Sequence, residues 1–231
     1  MNLGRKLPKF SKIGNNMVVS FSGIDGSGKT TQITLLEEYC NKNKILYVKK
    51  WSKARGTPGV EFLKSLVRRD RHMTQSLKLE HREEIFRSGW KKGVLYFFSM
   101  VDLCWYWGIY YRILRRKYPL VILDRYLWDT FVEVSVEFDK PSLQKSLLWK
   151  IVKTVALKPN VSILLTIPAE ESLRRDMLKG EITTEELSIK RQKIDIYLTL
   201  ASQNCWSNIV DSTRSIDDTH KLILKALNYN N

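Results

Sequence analysis

A phosphate-binding loop stands near the start of the chain. Residues 23–30 read GIDGSGKT and fit the pattern G-x-x-x-x-G-K-[ST] at every fixed position. The loop follows an apolar strand-like segment, residues 17–21, and residues 30–36 begin a helical pattern. In this context we expect the backbone N–H groups to face phosphate oxygens, Lys29 to reach the β- and γ-phosphates of a nucleotide, and Thr30 to ligate magnesium. The alternative is a glycine-rich turn that matches by chance, and both flanking elements argue against it.

A second group of reactive side chains follows another apolar run. Asp124, Arg125 and Tyr126 come directly after residues 119–123, which read PLVIL. Parallel sheets carry their ligands at the carboxyl ends of strands, so a carboxylate at this point can hold the magnesium shell. The alternative makes Asp124 a helix cap and Arg125 a surface charge. Tyr126 is equally consistent with a packing residue and with a functional one.

These side chains need a sheet and helices to position them. Apolar, β-branched runs alternate with helical patterns, which is typical of a parallel sheet. The predicted strands cover residues 17–21, 45–49, 120–123, 161–165 and 208–210. The predicted helices cover residues 29–41, 58–68, 92–116, 142–155, 169–178, 185–203 and 215–227. The strands are apolar without alternation, which favours a sheet covered by helices on both faces.

Composition limits the class of protein. With 231 residues and 43% hydrophobic content, the chain can form one compact α/β domain, which we place at residues 17–231. Residues 1–16 form a basic tail that lacks the apolar run of a secretory signal. The three cysteines lack metal-ligand spacing and the even number that a disulfide framework needs. These features predict a cytoplasmic protein.

The chain is strongly basic. Its net charge of +15 suits nucleic acid, anionic lipid or a phosphorylated substrate. We expect no specific nucleic-acid binding, because no zinc-finger or RNA-binding motif accompanies the charge. Residues 94–111 are long enough to suggest a membrane span, but Asp102 near the middle would cost about 2.5 to 3.5 kcal/mol on insertion. We therefore expect a buried or interface helix there, and no membrane span.

Residues 21–32, FSGIDGSGKTTQ, resemble the opening of thymidylate kinases. The Asp124-Arg125-Tyr126 element, the position of Asp102 ahead of it, residues 167–175 and residues 197–201 extend the resemblance over about residues 17–228. It implies a three-layer α/β P-loop kinase fold, with a parallel five-stranded sheet flanked by helices and a short lid. It also implies ATP and Mg2+ as cofactors, and a homodimer formed through the aromatic helix at residues 97–111.

The resemblance implies a role for each matching residue. Thr30 and Asp124 would surround magnesium, and Arg125 would clamp a phosphate. Arg175 and Lys179 match the basic positions of the lid, where donors meet charge that develops on the transferring group, although a solvated helical face is the alternative. Asp25 would face a sugar hydroxyl of the acceptor, or only stiffen the loop. The residues implied in ATP binding are Gly23, Asp25, Gly26, Ser27, Gly28, Lys29, Thr30 and Thr31.

The chain departs from the family in the acceptor pocket. Leu103 replaces an arginine, Ser99 replaces a stacking phenylalanine with Phe98 beside it, and Glu133 and Val134 replace a Tyr-Gln pair. The family has a phosphate-binding arginine in a further loop. In this chain Lys53 or Arg55 takes its role, or the role is lost. Together these changes predict an acceptor other than dTMP, because a buried site rejects ligands that leave its polar groups unpaired. The candidate acceptor-binding residues are Asp25, Lys53, Arg55, Phe98, Ser99, Asp102 and Glu133.

Three functions of different kinds remain open. The first is a kinase for dTMP or a related monophosphate, and the second is a kinase for a hydroxyl acceptor such as a nucleoside, a sugar or a small metabolite. The third is a nucleotide-regulated binding protein. The partner of either kinase is a small phosphorylated or hydroxylated molecule, and phosphoryl transfer would be direct and in line. Against a switch, residues 41–44 read NKNK and lack the aspartate of a guanine-reading motif.

Overall fold

The computed structural model describes residues 16–51, 89–137, 145–178 and 186–229. Within these ranges the chain forms two compact units. The first unit contains residues 16–50, 114–124 and the described residues from 159 onward, and the second contains residues 89–113 and the described part of 125–158. The predicted helix at 58–68 and residues 1–15 of the predicted tail lie outside the described residues.

A five-stranded parallel sheet forms the centre of the first unit. Its strands are β1 (Met17–Ser22), β2 (Tyr47–Trp51), β3 (Leu120–Asp124), β4 (Val161–Thr166) and β5 (Asn208–Asp211). They lie in the order β2-β3-β1-β4-β5, so the strand that leads into the phosphate loop is central. All five predicted strands are confirmed, with ends that differ by one or two residues, and the predicted α/β P-loop kinase class is confirmed with them.

Eight α-helices are described. They are α1 (Lys29–Lys42), α2 (Gly89–Trp105), α3 (Tyr111–Lys117), α4 (Leu127–Glu137), α5 (Leu147–Val155), α6 (Ala169–Leu178), α7 (Leu187–Ser202) and α8 (Ile216–Tyr229). Helices α1, α6, α7 and α8 agree closely with the predicted ones. No helix in the described ranges is both long enough and apolar enough to cross a membrane.

The core of the first unit explains why apolar and polar residues do not alternate along the strands. Alternate residues of β1 and its neighbours, such as Val19, Ile122 and Ile163, pack in one cluster with side chains of α1 and α8. The intervening residues, Val18 and Val121 among them, are also fully buried. Both faces of the sheet are therefore covered, as the continuous apolar runs predict.

The second unit differs from the sequence prediction in two places. The predicted continuous helix at 92–116 contains a π-helical turn, Tyr106–Tyr110, between α2 and α3. Gly108 lies in this turn close to Val155, and the guanidinium of Arg112 donates to the carbonyls of both residues. Helix α4 was not predicted. Residues 131–137 read FVEVSVE, a period-two alternation that is typical of a strand, and tertiary context overrides it.

Candidate active site

The phosphate loop has a backbone that requires glycine. Gly23, Gly26 and Gly28 all have φ in the left-handed range, at 139°, 75° and 85°. A Cβ atom on Gly23 would lie 2.5 Å from the Leu165 carbonyl oxygen, and one on Gly26 would lie 2.8 Å from the Ser172 carbonyl oxygen. These close approaches fix the loop against β4 and α6. The predicted loop motif thus corresponds to an actual tight loop at the carboxyl end of the central strand.

The amino end of α1 suits an anion. Its N-cap residue is Gly28, and no side chain in the described residues caps the helix. The first turn also carries no acidic residue, so no carboxylate of that turn offsets the positive end of the helix dipole. A Cβ atom on Gly28 would meet no atom of the described residues within 4 Å, so these residues leave space open beside the helix start. Backbone N–H groups with this surrounding fit the phosphates of a nucleotide.

Lys29 lies inside the loop and not on its surface. Its side chain is buried, and its Nζ donates to the carbonyls of Gly23 at 2.8 Å and Ile24 at 2.6 Å and to the Ser27 hydroxyl at 3.2 Å. The ammonium is therefore oriented by the loop itself. Its position makes it a fixed positive charge at the carboxyl end of the central strand.

Oxygen ligands suited to magnesium lie at the same end of the sheet. Asp124 is the last residue of β3 and is half-buried, and its register partner in β1 is Phe21, two residues before Gly23. Thr30 and Thr31 lie in the first turn of α1 and are exposed. Carboxylate and hydroxyl oxygens are ligands that Mg2+ prefers in proteins. The donor set of Asp124 and Thr30 fits the ion.

A mostly apolar cavity of about 360 Å3 opens beside the loop. It lies at the carboxyl ends of β4 and β5, next to α7, and Ile24 links its wall to the phosphate loop. Its volume lies near the lower end of the range of small-molecule sites, and its lining is apolar as in such sites. Its walls consist of Ile24, Leu164, Leu165, Thr166, Ile167, Pro168, Ile194, Tyr197, Leu198, Asp211 and Thr213.

Arg175, one of the two predicted lid residues, contacts the loop after β5. Its guanidinium donates to the Glu171 carboxylate at 2.8 Å and to the Ser212 carbonyl at 2.9 Å. Hydrogen bonds from Arg174 and then Arg175 lower the pKa of Glu171 to about 2, so this carboxylate stays ionised. Lys179, the other predicted lid residue, lies outside the described residues.

Arg125, in the second unit, is buried and not a surface charge. Its φ of 69° is in the left-handed range, which is costly for an arginine and is typical of functional sites. Its Nη1 lies 3.9 Å from the Asp129 carboxylate and 3.9 Å from the Glu133 carboxylate. The Asp129 carboxylate also accepts from the Tyr126 backbone N–H at 3.0 Å, so Asp129 caps the start of α4.

Tyr126 has the surroundings of a packing residue. Its ring lies 5.0 Å from that of Trp107 and its hydroxyl donates to the Leu157 carbonyl at 2.7 Å. Burial raises the pKa of this tyrosine, with the Arg112 charge acting weakly in the opposite direction, so the hydroxyl remains protonated.

The other acceptor candidates differ in exposure. Phe98 is 45% exposed and packs edge-on against Phe97, while Ser99 and Asp102 are half-buried on α2. Leu103 and Val134, which replace polar residues of the family, are both buried and apolar. Asp25 has an exposed side chain. Lys53 and Arg55 lie outside the described residues.

Sequence reasoning missed a buried polar cluster that touches the loop. It consists of Ser172 and Asp176 on α6 and Lys190 on α7, all with 2% exposure or less. No local pattern marks these residues, because each is a common polar residue on an ordinary helix. Only an excess of polar residues at apolar helix positions could have indicated them.

A central strand, a glycine-rich phosphate loop and a helix that starts at that loop define the class: this is a P-loop protein of the α/β kinase fold. The family model for thymidylate kinase matches residues 21–223. The chain belongs to the thymidylate kinase family and is a P-loop phosphotransferase.

Relatives are similar along nearly their whole length. The thymidylate kinase of Kosmotoga olearia is 26% identical over 213 residues, which cover 90% of this chain and 94% of the relative. The probable thymidylate kinase of Pyrococcus horikoshii is 28% identical, with 91% and 95% covered. The thymidylate kinase of Plasmodium falciparum is 27% identical, with 90% and 88% covered.

Proposed function

We propose that the protein transfers the γ-phosphoryl group of ATP to a small nucleotide-like acceptor. The observation that carries this proposal is the helix start at Gly28, which has open space beside it and Lys29 fixed within the same loop. An anion held there meets backbone N–H groups, the helix dipole and one ammonium together. Family membership and the names of the relatives support a nucleoside monophosphate kinase.

In this proposal each group of site residues has its own role. The amides of residues 26–30 and Lys29 hold the triphosphate, and the apolar cavity beside Ile24 takes the base. Thr30 and Asp124 hold magnesium, which neutralises charge on the phosphate oxygens when bound. Arg125, Arg175 and Lys179 supply positive charge to the transferring group and the acceptor. Positioning and charge neutralisation account for most phosphoryl-transfer catalysis, so no covalent intermediate on the protein is needed.

We propose further that dTMP is a poor acceptor. Glu133 and Asp129 each lie 3.9 Å from Arg125, so two carboxylates flank the arginine that would clamp a phosphate. A dianionic monophosphate must compete with them, whereas an acceptor hydroxyl can donate to a carboxylate. Leu103 and Ser99 also lack the arginine and the aromatic stack of the family, each worth about 1 to 3 kcal/mol of binding. These observations favour an acceptor other than dTMP, and a hydroxyl acceptor such as a nucleoside is the second candidate.

An acceptor panel tests both proposals. ADP formation is measured with MgATP and each of dTMP, other nucleoside monophosphates, nucleosides and sugars. We expect turnover that depends on an acceptor, with kcat/KM for dTMP below about 10⁴ M⁻¹s⁻¹. A higher value for dTMP would contradict the diverged pocket and leave an ordinary thymidylate kinase. Slow turnover that no acceptor stimulates would instead favour a nucleotide-regulated binding protein.

A further inference from the structure

A buried ion pair joins α6 and α7 directly beneath the phosphate loop. Lys190 Nζ lies 2.7 Å from Asp176 Oδ2, and the two side chains are only 1% and 2% exposed. Lys190 Nζ also donates to the Ser172 hydroxyl at 3.1 Å, and that hydroxyl donates to the Asp25 carbonyl at 2.7 Å. The contact from lysine to loop therefore runs through one serine.

The chemistry of the three groups fixes the direction of the hydrogen bonds. An ammonium can only donate, so Ser172 Oγ must accept from Lys190. The single hydroxyl proton of Ser172 is then directed to its other neighbour, the Asp25 carbonyl. Lys190 thus determines which way the serine hydroxyl points, and it does so without touching the loop.

The anchored carbonyl sets the orientation of a loop amide. The Asp25–Gly26 peptide is trans, so the Asp25 carbonyl and the Gly26 N–H point in opposite directions. With the carbonyl held toward Ser172, the Gly26 N–H points away from α6. A loop of this kind binds phosphate through such N–H groups, so the bond from Ser172 preorganises the donor that follows Asp25.

The same helix contacts the loop at a second point. A Cβ atom on Gly26 would lie 3.0 Å from Asp176 Oδ1, and this buried oxygen has no hydrogen-bond partner among the described residues. Replacing a buried ion pair by apolar residues of similar volume is often neutral or stabilising, so stability alone gives no need for this pair. The position of this ion pair against the loop points instead to a role in holding the loop.

We propose that Lys190 is a positioning residue for the phosphate loop, which acts through Ser172 and is held in place by Asp176. This inference rests on the proposed binding of ATP by the loop. The role is to hold one peptide in the orientation that binds phosphate, so its loss weakens nucleotide binding more than it weakens the fold.

The test compares MgATP affinity and thermal stability in matched variants of the full chain. Ser172→Ala removes the hydroxyl, and the double variant Lys190→Met with Asp176→Leu removes both buried charges together. The control is Glu170→Gln with Arg191→Gln, which removes an exposed ion pair of 2.7 Å between the same two helices. Titration calorimetry with MgATP alone gives the dissociation constant and the stoichiometry, and no acceptor is needed.

We expect both test variants to raise the dissociation constant for MgATP roughly tenfold, the scale of one lost hydrogen bond to a charged ligand. Stoichiometry should stay near one site per chain, and the control should bind as the wild type does. A merely structural role would lower the stoichiometry or the melting temperature and leave the dissociation constant of the folded fraction unchanged. If the double variant fails to fold, Ser172→Ala carries the test alone.

Two results would overturn the inference. One is a dissociation constant within twofold of the wild type in Ser172→Ala. The other is an equal loss of affinity in the Glu170/Arg191 control, which would assign the effect to general packing of α6 on α7. Either result leaves the proposed function standing when the wild type binds MgATP. A wild-type chain that binds no MgATP would remove the proposed function and this role together.

Discussion

The ammonium of Lys29 lies 2.6 Å from the carbonyl oxygen of Ile24, inside the loop to which both residues belong. The lysine is thus held by backbone that also lines the apolar cavity, since Ile24 belongs to both. A phosphate that binds at the start of α1 meets a cation whose position is already set. This preorganisation is the property that electrostatic catalysis requires.

Replacing Lys29 tests that relationship. We expect Lys29→Ala to lower kcat/KM about a hundredfold to a thousandfold, the size of effect seen for one fixed charge-stabilising donor. We expect the fold to persist, which an unchanged circular dichroism spectrum would show. Turnover is measured with the best acceptor of the panel. The control is Lys42→Ala, which replaces an exposed lysine in the last turn of the same helix. Activity of Lys29→Ala within tenfold of the wild type would contradict the prediction.

The magnesium dependence of the rate tests whether Asp124 is a metal ligand. We expect Asp124→Asn to lower turnover and to raise the magnesium concentration needed for half-maximal rate, because a neutral amide is a weaker ligand for Mg2+ than a carboxylate. Rates are measured over a magnesium titration at saturating ATP. Asp195→Asn, at an exposed position of α7, serves as the control. An unchanged magnesium dependence in Asp124→Asn would mean that the carboxylate is structural.

Glu133 should set the charge preference of the acceptor site. Its carboxylate lies 3.9 Å from Arg125, and Glu133→Gln removes the negative charge while it keeps the shape. We expect kcat/KM for dTMP to rise about fivefold and kcat/KM for thymidine to fall or stay level, since one close charge pair is worth on the order of 1 kcal/mol at a partly exposed site. The ratio of the two substrates is the measurement. A parallel change for both substrates would show that Glu133 does not discriminate by charge.

The second unit exposes an apolar stripe that we expect a second copy of the chain to cover. Its side chains recur every four residues, and each is 45% exposed or more: Phe97, Val101, Trp105, Ile109 and Ile113. A continuous exposed apolar patch is costly in water and is typical of an interface. Light scattering at micromolar concentration should therefore report a homodimer.

A matched pair of variants tests the stripe. Ile113→Glu should shift the protein to a monomer, because a charge would be buried at the interface. Ile151→Glu places the same charge at another exposed isoleucine of the second unit, outside the stripe, and should leave the dimer intact. A monomeric wild type would contradict the predicted homodimer. Equal dissociation of the dimer by both variants would show that the interface is not confined to the stripe.

Local sequence was sufficient wherever the information is local. The loop at residues 23–30 has its glycines where φ is positive or where backbone approaches closely, so the pattern itself encodes the geometry. The five strands were predictable because both faces of a covered parallel sheet must be apolar, which leaves continuous runs such as residues 120–123. Family membership followed from the same segments.

Helix α4 shows where local sequence misleads. The alternating residues 131–137 favour a strand, yet the segment is helical because Asp129 caps it and because Phe131 and Val132 are buried in the second unit. The π-helical turn at Tyr106–Tyr110 was likewise not predictable. It accompanies a close approach of Gly108 to Val155, a residue far away in the chain.

The sequence by itself determined that this protein has a phosphate loop, a parallel sheet and a place in the thymidylate kinase family. Only the tertiary structure decided what surrounds the loop. Ser172 contacts the Asp25 carbonyl across a separation of 147 residues, and Lys190 contacts Ser172 from a different helix. Such contacts depend on how α6 and α7 pack beside the sheet, and packing is a property of the folded chain that no short pattern of residues records.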